Sequence, residues 1–188
     1  MSKKACVLLA PGAEEMEFVI SVDVLRRGDV NVIVAGIPNS STIKCSRQVN
    51  IVPDCSLADA TSKGPYDVIV LPGGLGGAQA LSKSEEVGKL LKEQDSAGRL
   101  IAAICAAPTA LKAHGIGFGK NITSYPSVEL QLTEGKNYTY KHDKVVVDGN
   151  IVTSQGPATA FDFALKLVDI LQGNKKACDV AKAMLMTY

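Results

Sequence analysis

Residues 99–110, Arg-Leu-Ile-Ala-Ala-Ile-Cys-Ala-Ala-Pro-Thr-Ala, carry an apolar run directly into a helix-forming segment. The run at 99–104 predicts a buried strand, and 106–113 predicts a helix. Cys105 lies at the junction between small residues, as in a nucleophile elbow, where a sharp turn lifts one side chain above the sheet. An apolar strand that leads straight into a helix is typical of a parallel sheet covered by helices.

The same alternation extends over the rest of the chain. Further strands are predicted at 4–10, 30–35 and 67–71, a β-excursion at 42–53, and a hairpin with an Asp-Gly turn at 145–153. Further helices are predicted at 14–27, 84–97, 157–172 and 175–185. The pattern predicts an α/β fold, a flavodoxin-like three-layer sandwich with a mostly parallel central sheet, in a single domain over residues 1–188. Because ligands bind beyond the carboxyl ends of such strands, functional residues are expected directly after them.

Composition excludes several classes of function. The 188 residues contain 20 Lys and Arg against 19 Asp and Glu, a net charge of +1. This balance argues against a polybasic surface for nucleic acid or an anionic membrane. The apolar run near the N-terminus, Ala5 to Ala10, is too short for a signal peptide or a membrane span, so a cytoplasmic protein is expected.

The cysteines favour neither a disulfide framework nor a metal site. Five are present without a C-x-x-C pair: Cys6, Cys45, Cys55, Cys105 and Cys178. With only His114 and His142 available, a Cys/His metal site is not expected. Cys6 and Cys178 are interpreted as packing residues, and Cys55 is expected to be exposed and oxidisable without a function. No cofactor is expected, because neither a Walker nor a Rossmann glycine pattern is present.

Cys105 is the first candidate functional residue. A helix that begins just after it supplies free N–H groups and a partial positive charge, which predict a lowered thiol pKa. The alternative is a small buried cysteine that only packs between strand and helix.

The second candidate is the glycine-rich stretch Leu71-Pro72-Gly73-Gly74-Leu75-Gly76-Gly77 after a predicted strand. Its backbone could approach a ligand closely and, with the N–H of Ala106, form an oxyanion hole. A purely structural turn is the alternative.

The third candidate is Glu17, in the helix that follows the first strand. On a helical wheel Glu17 shares the apolar arc with Ile20 and Val24, whereas Glu14 and Glu15 look like surface residues of the first turn. Burial would raise the pKa of Glu17 and leave it protonated, able to donate a hydrogen bond to Cys105. An exposed glutamate is the alternative.

Taken together, several motifs resemble the ThiJ/PfpI superfamily, in particular its branch of protein deglycases associated with Parkinson disease. They are GAEEME at 12–17, GPYDV at 64–68, VLPGG at 70–74, AAICAAPTAL at 102–111 and TSQGP at 153–157. The resemblance implies a reactive cysteine at Cys105 and a protonated glutamate at Glu17. It also implies an oxyanion loop at Gly73 and Gly74, and an arginine near the pocket mouth at Arg47.

The resemblance further implies function. It implies a homodimer with cofactor-free glyoxalase action on methylglyoxal, deglycation of adducts on Cys, Lys and Arg, and a part in the oxidative-stress response. It equally allows a redox sensor in which Cys105 is oxidised to sulfinic acid, with chaperone-like and mitochondrial-protective output. It adds possible nuclear and mitochondrial pools to the cytoplasmic one. Partners are then a small dicarbonyl or glycated-protein substrate and a second copy, without nucleic-acid binding or membrane insertion.

Two positions depart from the family pattern. Tyr125 occupies a position where family members often have histidine, so a histidine base is doubtful, although the tyrosine hydroxyl could bind substrate. Ala106 follows Cys105 where protease-like relatives have histidine. A Cys-His protease arrangement cannot be built that way, so proteolysis is not expected.

Overall fold

A computed structural model describes residues 2–188, and its centre is a seven-stranded sheet. The strands of the chain are β1 (Lys4–Leu9), β2 (Asn31–Gly36), β3 (Ile43–Lys44), β4 (Asn50–Ile51), β5 (Cys55–Ser56), β6 (Val68–Leu71), β7 (Leu100–Ile104), β8 (Asn121–Ile122), β9 (Thr139–Tyr140), β10 (Val145–Asp148) and β11 (Ile151–Ser154). The central sheet has the order β10-β11-β7-β6-β1-β2-β5. All its neighbours are parallel except β10 and β11, which form the predicted antiparallel hairpin.

Helices cover this sheet. They are α1 (Glu15–Arg27), α2 (Leu57–Ser62), α3 (Leu75–Lys83), α4 (Glu85–Ser96), α5 (Pro108–His114), α6 (Glu129–Thr133), α7 (Ala160–Gln172) and α8 (Asn174–Ala183). Helix α7 packs against α1 and α8, while α3 packs against α5. The strands β1, β6 and β7 at the centre are almost entirely buried, which explains their continuous apolar sequences. The predicted mostly parallel, flavodoxin-like sandwich is confirmed.

Several elements were not predicted, and α3 shows why. Its sequence begins Leu-Gly-Gly, which has poor intrinsic helix propensity. The glycines allow close packing instead: a Cβ on Gly77 would lie 2.8 Å from the Cα of Ala13, and one on Gly76 would lie 3.2 Å from the Cα of Gly12. Packing of α3 against the loop after β1 therefore outweighs local propensity.

The prediction for Cys55 is wrong. Cys55 is buried, because β5 adds to the edge of β2 and turns its side chain inward. Cys178, on the last helix, is half-buried, and Cys6 is buried. Residues 42–53 do form a β-excursion, the small antiparallel hairpin of β3 and β4 outside the main sheet. Across residues 2–188, no helix combines the length and apolarity required to cross a bilayer.

Candidate active site

Cys105 lies on a tight turn between β7 and α5. Its backbone has φ of +64°, a left-handed conformation that is rare for residues other than glycine and often found at functional sites. Two neighbouring segments fix this conformation. The Cys105 N–H donates to the carbonyl of Ser154 at 3.0 Å, and the N–H of Tyr125 donates to the Cys105 carbonyl at 2.8 Å. The turn therefore has the form of the elbow that the sequence predicted.

Glu17 faces the same place from the first turn of α1 and is fully buried. Its Oε2 accepts a hydrogen bond from the N–H of Gly73 at 2.8 Å. Its Oε1 has no hydrogen-bond partner of good geometry among residues 2–188, although the Cys105 thiol is near enough to lower the pKa of this carboxyl. The predicted burial of Glu17 on the apolar side of α1 is confirmed.

Gly73 separates the two side chains and leaves no room for one of its own. A Cβ at this position would lie 2.5 Å from the Cβ of Cys105 and 2.7 Å from Oε2 of Glu17. Gly74 is also required, because its φ is +81° and a Cβ there would lie 2.4 Å from the carbonyl oxygen of Gly12. The glycine-rich stretch thus lets the ends of β1, β6 and β7 converge.

The backbone N–H groups of Gly73, Gly74 and Ala106 have different hydrogen-bond partners. The N–H of Gly73 is used by Glu17, so the prediction that Gly73 belongs to an oxyanion site must be corrected. The N–H groups of Gly74 and Ala106 instead act on the Cys105 sulfur, where their hydrogen bonding lowers the thiol pKa. These two donors could stabilise a negative charge at or beside the sulfur.

Burial dominates the protonation of the pair. It raises the pKa of Glu17 to about 7, against the opposing hydrogen bonds of Cys105 and Gly73. It also raises the pKa of the Cys105 thiol to about 12, and the charge of Glu17 adds to this increase. The lowered thiol pKa predicted from the sequence is therefore wrong. The two N–H donors do not outweigh desolvation and the adjacent carboxylate.

Cys105 opens onto a pocket of about 550 Å³. Arg47 and Tyr125 both line it, as do Glu14, Ser46, Gly74 and Ala106. Neither histidine lies on its wall: Nε2 of His114 contacts the carbonyl of Leu81 at 2.9 Å, and His142 is highly exposed near Glu129. No cluster of three or more His, Cys, Asp or Glu suited to a metal ion occurs in residues 2–188.

Glu15 is a site residue that the sequence analysis missed, because it was expected on the surface. It is buried, and its two oxygens accept hydrogen bonds from the Ser46 hydroxyl and the Arg47 N–H, both at 2.7 Å. Its partners come from the β3–β4 hairpin, some 30 residues later in the chain. No local pattern could have indicated that contact.

The fold is a flavodoxin-like sandwich, and its cysteine lies on a left-handed strand-to-helix turn that faces a buried glutamate. These features define a class of α/β proteins with a candidate cysteine nucleophile. The model described as the DJ-1/PfpI family matches residues 3–170. The chain belongs to this family.

Individual relatives agree with this assignment. Protein DJ-1alpha of Drosophila melanogaster is 60% identical over 188 residues, covering 100% of this chain and 86% of that protein. A Caenorhabditis elegans protein named glutathione-independent glyoxalase DJR-1.2 is 42% identical over 185 residues, covering 98% of this chain and 97% of that protein. The crystal structure of Drosophila melanogaster DJ-1beta matches with a TM-score of 0.97 at 56% identity, covering 100% of both chains.

Proposed function

We propose that this chain converts methylglyoxal to lactate without glutathione, with Cys105 as the nucleophile and Glu17 as the proton carrier. One observation carries the proposal: at the base of an open pocket, the thiol adjoins a buried carboxyl with an unpaired oxygen and two backbone N–H donors. The Caenorhabditis elegans relative named as a glutathione-independent glyoxalase supports the choice of reaction.

The first step forms the C–S bond. With a pKa near 7, Glu17 is ionised in a large share of molecules at neutral pH and can take the thiol proton. The sulfur attacks the aldehyde carbon of methylglyoxal, and the carbonyl π pair moves to oxygen. The N–H groups of Gly74 and Ala106 stabilise that oxygen until Glu17 returns the proton to it, which leaves a hemithioacetal.

The second step is an isomerisation followed by hydrolysis. Glu17 removes the hydrogen from the carbon bonded to sulfur, which gives an enediolate, and returns the proton to the adjacent carbon. The hydroxyl proton of the sulfur-bearing carbon moves to the neighbouring oxygen, so that a lactoyl thioester forms without any external oxidant. Water then cleaves the thioester to lactate and regenerates the Cys105 thiol.

We extend the proposal to early adducts of methylglyoxal on Cys, Lys and Arg. The pocket of about 550 Å³ is open at its mouth, which would allow a carrier side chain to remain attached. In that case the Cys105 sulfur attacks the adduct carbon derived from the methylglyoxal aldehyde. A C–S bond forms, and the bond from this carbon to the protein amine or thiol breaks. Glu17 protonates the leaving group, and the same hemithioacetal results.

Substitution of the two cysteines Cys105 and Cys178 tests the proposal. Purified wild type, Cys105→Ser and the matched control Cys178→Ser are incubated with methylglyoxal, and lactate is measured enzymatically. Lactate formation should be lost in Cys105→Ser and retained in Cys178→Ser, because Cys178 is on the last helix, away from the pocket lining. Equal turnover by wild type and Cys105→Ser would refute the proposed mechanism.

A second candidate function is redox sensing at the same sulfur. When protonated at its unpaired Oε1, Glu17 could donate a hydrogen bond to a sulfinate on Cys105, as could the N–H groups of Gly74 and Ala106, and these bonds would favour that product. Peroxide would oxidise the thiol in two steps, releasing one water in each. Peptide mass spectrometry after mild peroxide treatment tests this function, and the absence of a two-oxygen adduct on Cys105 would rule it out.

We also propose that a second copy of the chain covers exposed apolar side chains. They include Met16 and Val19 of α1, 54% and 50% exposed, and Val52 beside β4, 69% exposed. Cys45 is only 3% exposed and is therefore not one of these side chains. Sedimentation of wild type and Val19→Asp tests the dimer; identical monomeric profiles would contradict it.

A further inference from the structure

One wall of the Cys105 pocket is built from the turn that joins β3 to β4, residues 45–49, here called the hairpin wall. The turn is closed by backbone hydrogen bonds from Cys45 to Val49 at 2.8 Å and from Gln48 to Cys45 at 3.1 Å. Ser46 and Arg47 of this wall line the pocket. Because β3 and β4 contribute only two residues each, the hairpin has little stability of its own.

The hairpin wall depends on contacts with the loop and first turn before it in the chain. Two backbone bonds secure its base, from Gly12 N–H to the Lys44 carbonyl at 2.9 Å and from Ser46 N–H to the Ala13 carbonyl at 2.8 Å. The Glu15 carboxylate accepts hydrogen bonds from both the hydroxyl of Ser46 and the N–H of Arg47. It is the one carboxylate of α1 whose two oxygens both bind this wall.

The ionised state of Glu15 is consistent with its role in holding the hairpin wall. Burial by itself would raise its pKa, yet the hydrogen bonds from its own backbone, Ser46 and Arg47 outweigh burial and lower the pKa. Glu15 therefore stays ionised at neutral pH, and each of its bonds to the wall is charge-assisted.

We propose that Glu15 is a positioning residue that anchors the hairpin wall, so that Ser46 and Arg47 limit the size of molecules that reach Cys105. Glu15 acts on access to the pocket and takes no part in the bond-making steps, since both its oxygens are engaged by the wall. The catalytic consequence rests on the proposed function, but the effect on access does not.

The first experiment measures access without any turnover. Wild type, Glu15→Ala and Glu15→Gln are alkylated with a small neutral reagent, iodoacetamide, and with a bulky one, N-pyrenylmaleimide, and modification of the Cys105 peptide is followed by mass spectrometry. Loss of charge-assisted bonds should raise the ratio of bulky to small reaction rates about tenfold in Glu15→Ala. Glutamine can still accept from Arg47 and donate to Ser46, so Glu15→Gln should retain a ratio near that of wild type.

The buried Cys6 serves as the control for unfolding, since it becomes alkylated only if the core opens. An unchanged ratio in Glu15→Ala, or an increase accompanied by equal labelling of Cys6, would overturn the proposal. These outcomes are independent of whether the protein turns over methylglyoxal.

The second experiment uses turnover. In Glu15→Ala, KM for methylglyoxal should change about fivefold, while kcat stays within about twofold of wild type. A fall in kcat with unchanged KM would place Glu15 in the chemistry and contradict the positioning role. If wild type shows no turnover, the proposed function fails while the alkylation result still decides the role of Glu15.

Discussion

Two glutamates from one helical turn serve two different sides of the pocket. Glu17 forms the floor together with Cys105 and Gly73, and Glu15 holds the hairpin wall. The two carboxyl groups are two residues apart, yet their surroundings shift their pKa values in opposite directions. Glu17 accepts a single N–H and has its pKa raised by burial, whereas Glu15 accepts several hydrogen bonds that lower its pKa. Glu17 is buried more deeply than Glu15 and accepts fewer hydrogen bonds, and both differences separate a group suited to carry protons from one that anchors structure.

The largest effect is expected from filling the space at the floor. In Gly73→Ala the new methyl would overlap Cys105 and Glu17, so turnover should fall about a hundredfold because the pair is pushed apart. Overpacking should also lower the free energy of unfolding by about 1–3 kcal/mol. Lactate assays and urea unfolding measure both changes.

The matched control is Gly98→Ala, where a Cβ would meet nothing within 4 Å although φ is +65°. This variant should lose about 1 kcal/mol of stability from backbone strain and keep its activity. Similar activity losses in both variants would show that the floor is not especially tightly packed.

A smaller effect is expected on stability when the charge of Glu17 is removed. The folded pKa is raised from 4.5 to about 7, so between these values the folded state binds more protons and loses stability as the pH rises. Glu17→Gln should therefore match wild type near pH 4 and be more stable above pH 7 by up to about 3 kcal/mol. Urea unfolding from pH 4 to 8 measures this.

The exposed Glu86→Gln serves as the comparison and should unfold with the pH dependence of wild type. A Glu17→Gln protein with an unchanged pH dependence would mean that Glu17 titrates normally in the folded state.

The sequence was sufficient to place Cys105 and Glu17 in the floor because their signals are local, whereas the role of Gly73 had to be corrected. Cys105 is followed by Ala106 and Ala107 at a strand end, and Glu17 falls on an apolar helical arc. The wall was not predictable, because the burial of Glu15 requires the position of a hairpin about 30 residues away. The direction of the Cys105 pKa was also missed, since desolvation depends on packing from several elements that a helix-terminus argument leaves out.

A modest effect is expected from weakening the wall without removing its anchor. Ser46→Ala removes one of the two wall contacts of Glu15 and leaves the Arg47 N–H bond. Stability should fall by about 1 kcal/mol, and the preference of Cys105 for small alkylating reagents should weaken about threefold. An effect larger than that of Glu15→Ala would show that Ser46 acts independently of the carboxylate.

The smallest effect is expected at Tyr125. Its side chain is 47% exposed, and its contribution to the floor is the backbone N–H that bonds to Cys105. Tyr125→Phe should therefore change kcat/KM for methylglyoxal by less than about twofold. A loss of more than tenfold would assign the hydroxyl a direct part in binding or proton transfer.

The central claim is that Glu17, with its pKa raised to about 7, is the base that activates Cys105. Its most direct test is the pH dependence of lactate formation in wild type and Glu17→Gln between pH 5 and 9. Wild-type kcat/KM should rise with a midpoint near pH 7, and the variant should be about a hundredfold slower without that midpoint. A variant that retains the wild-type midpoint and rate would contradict the claim.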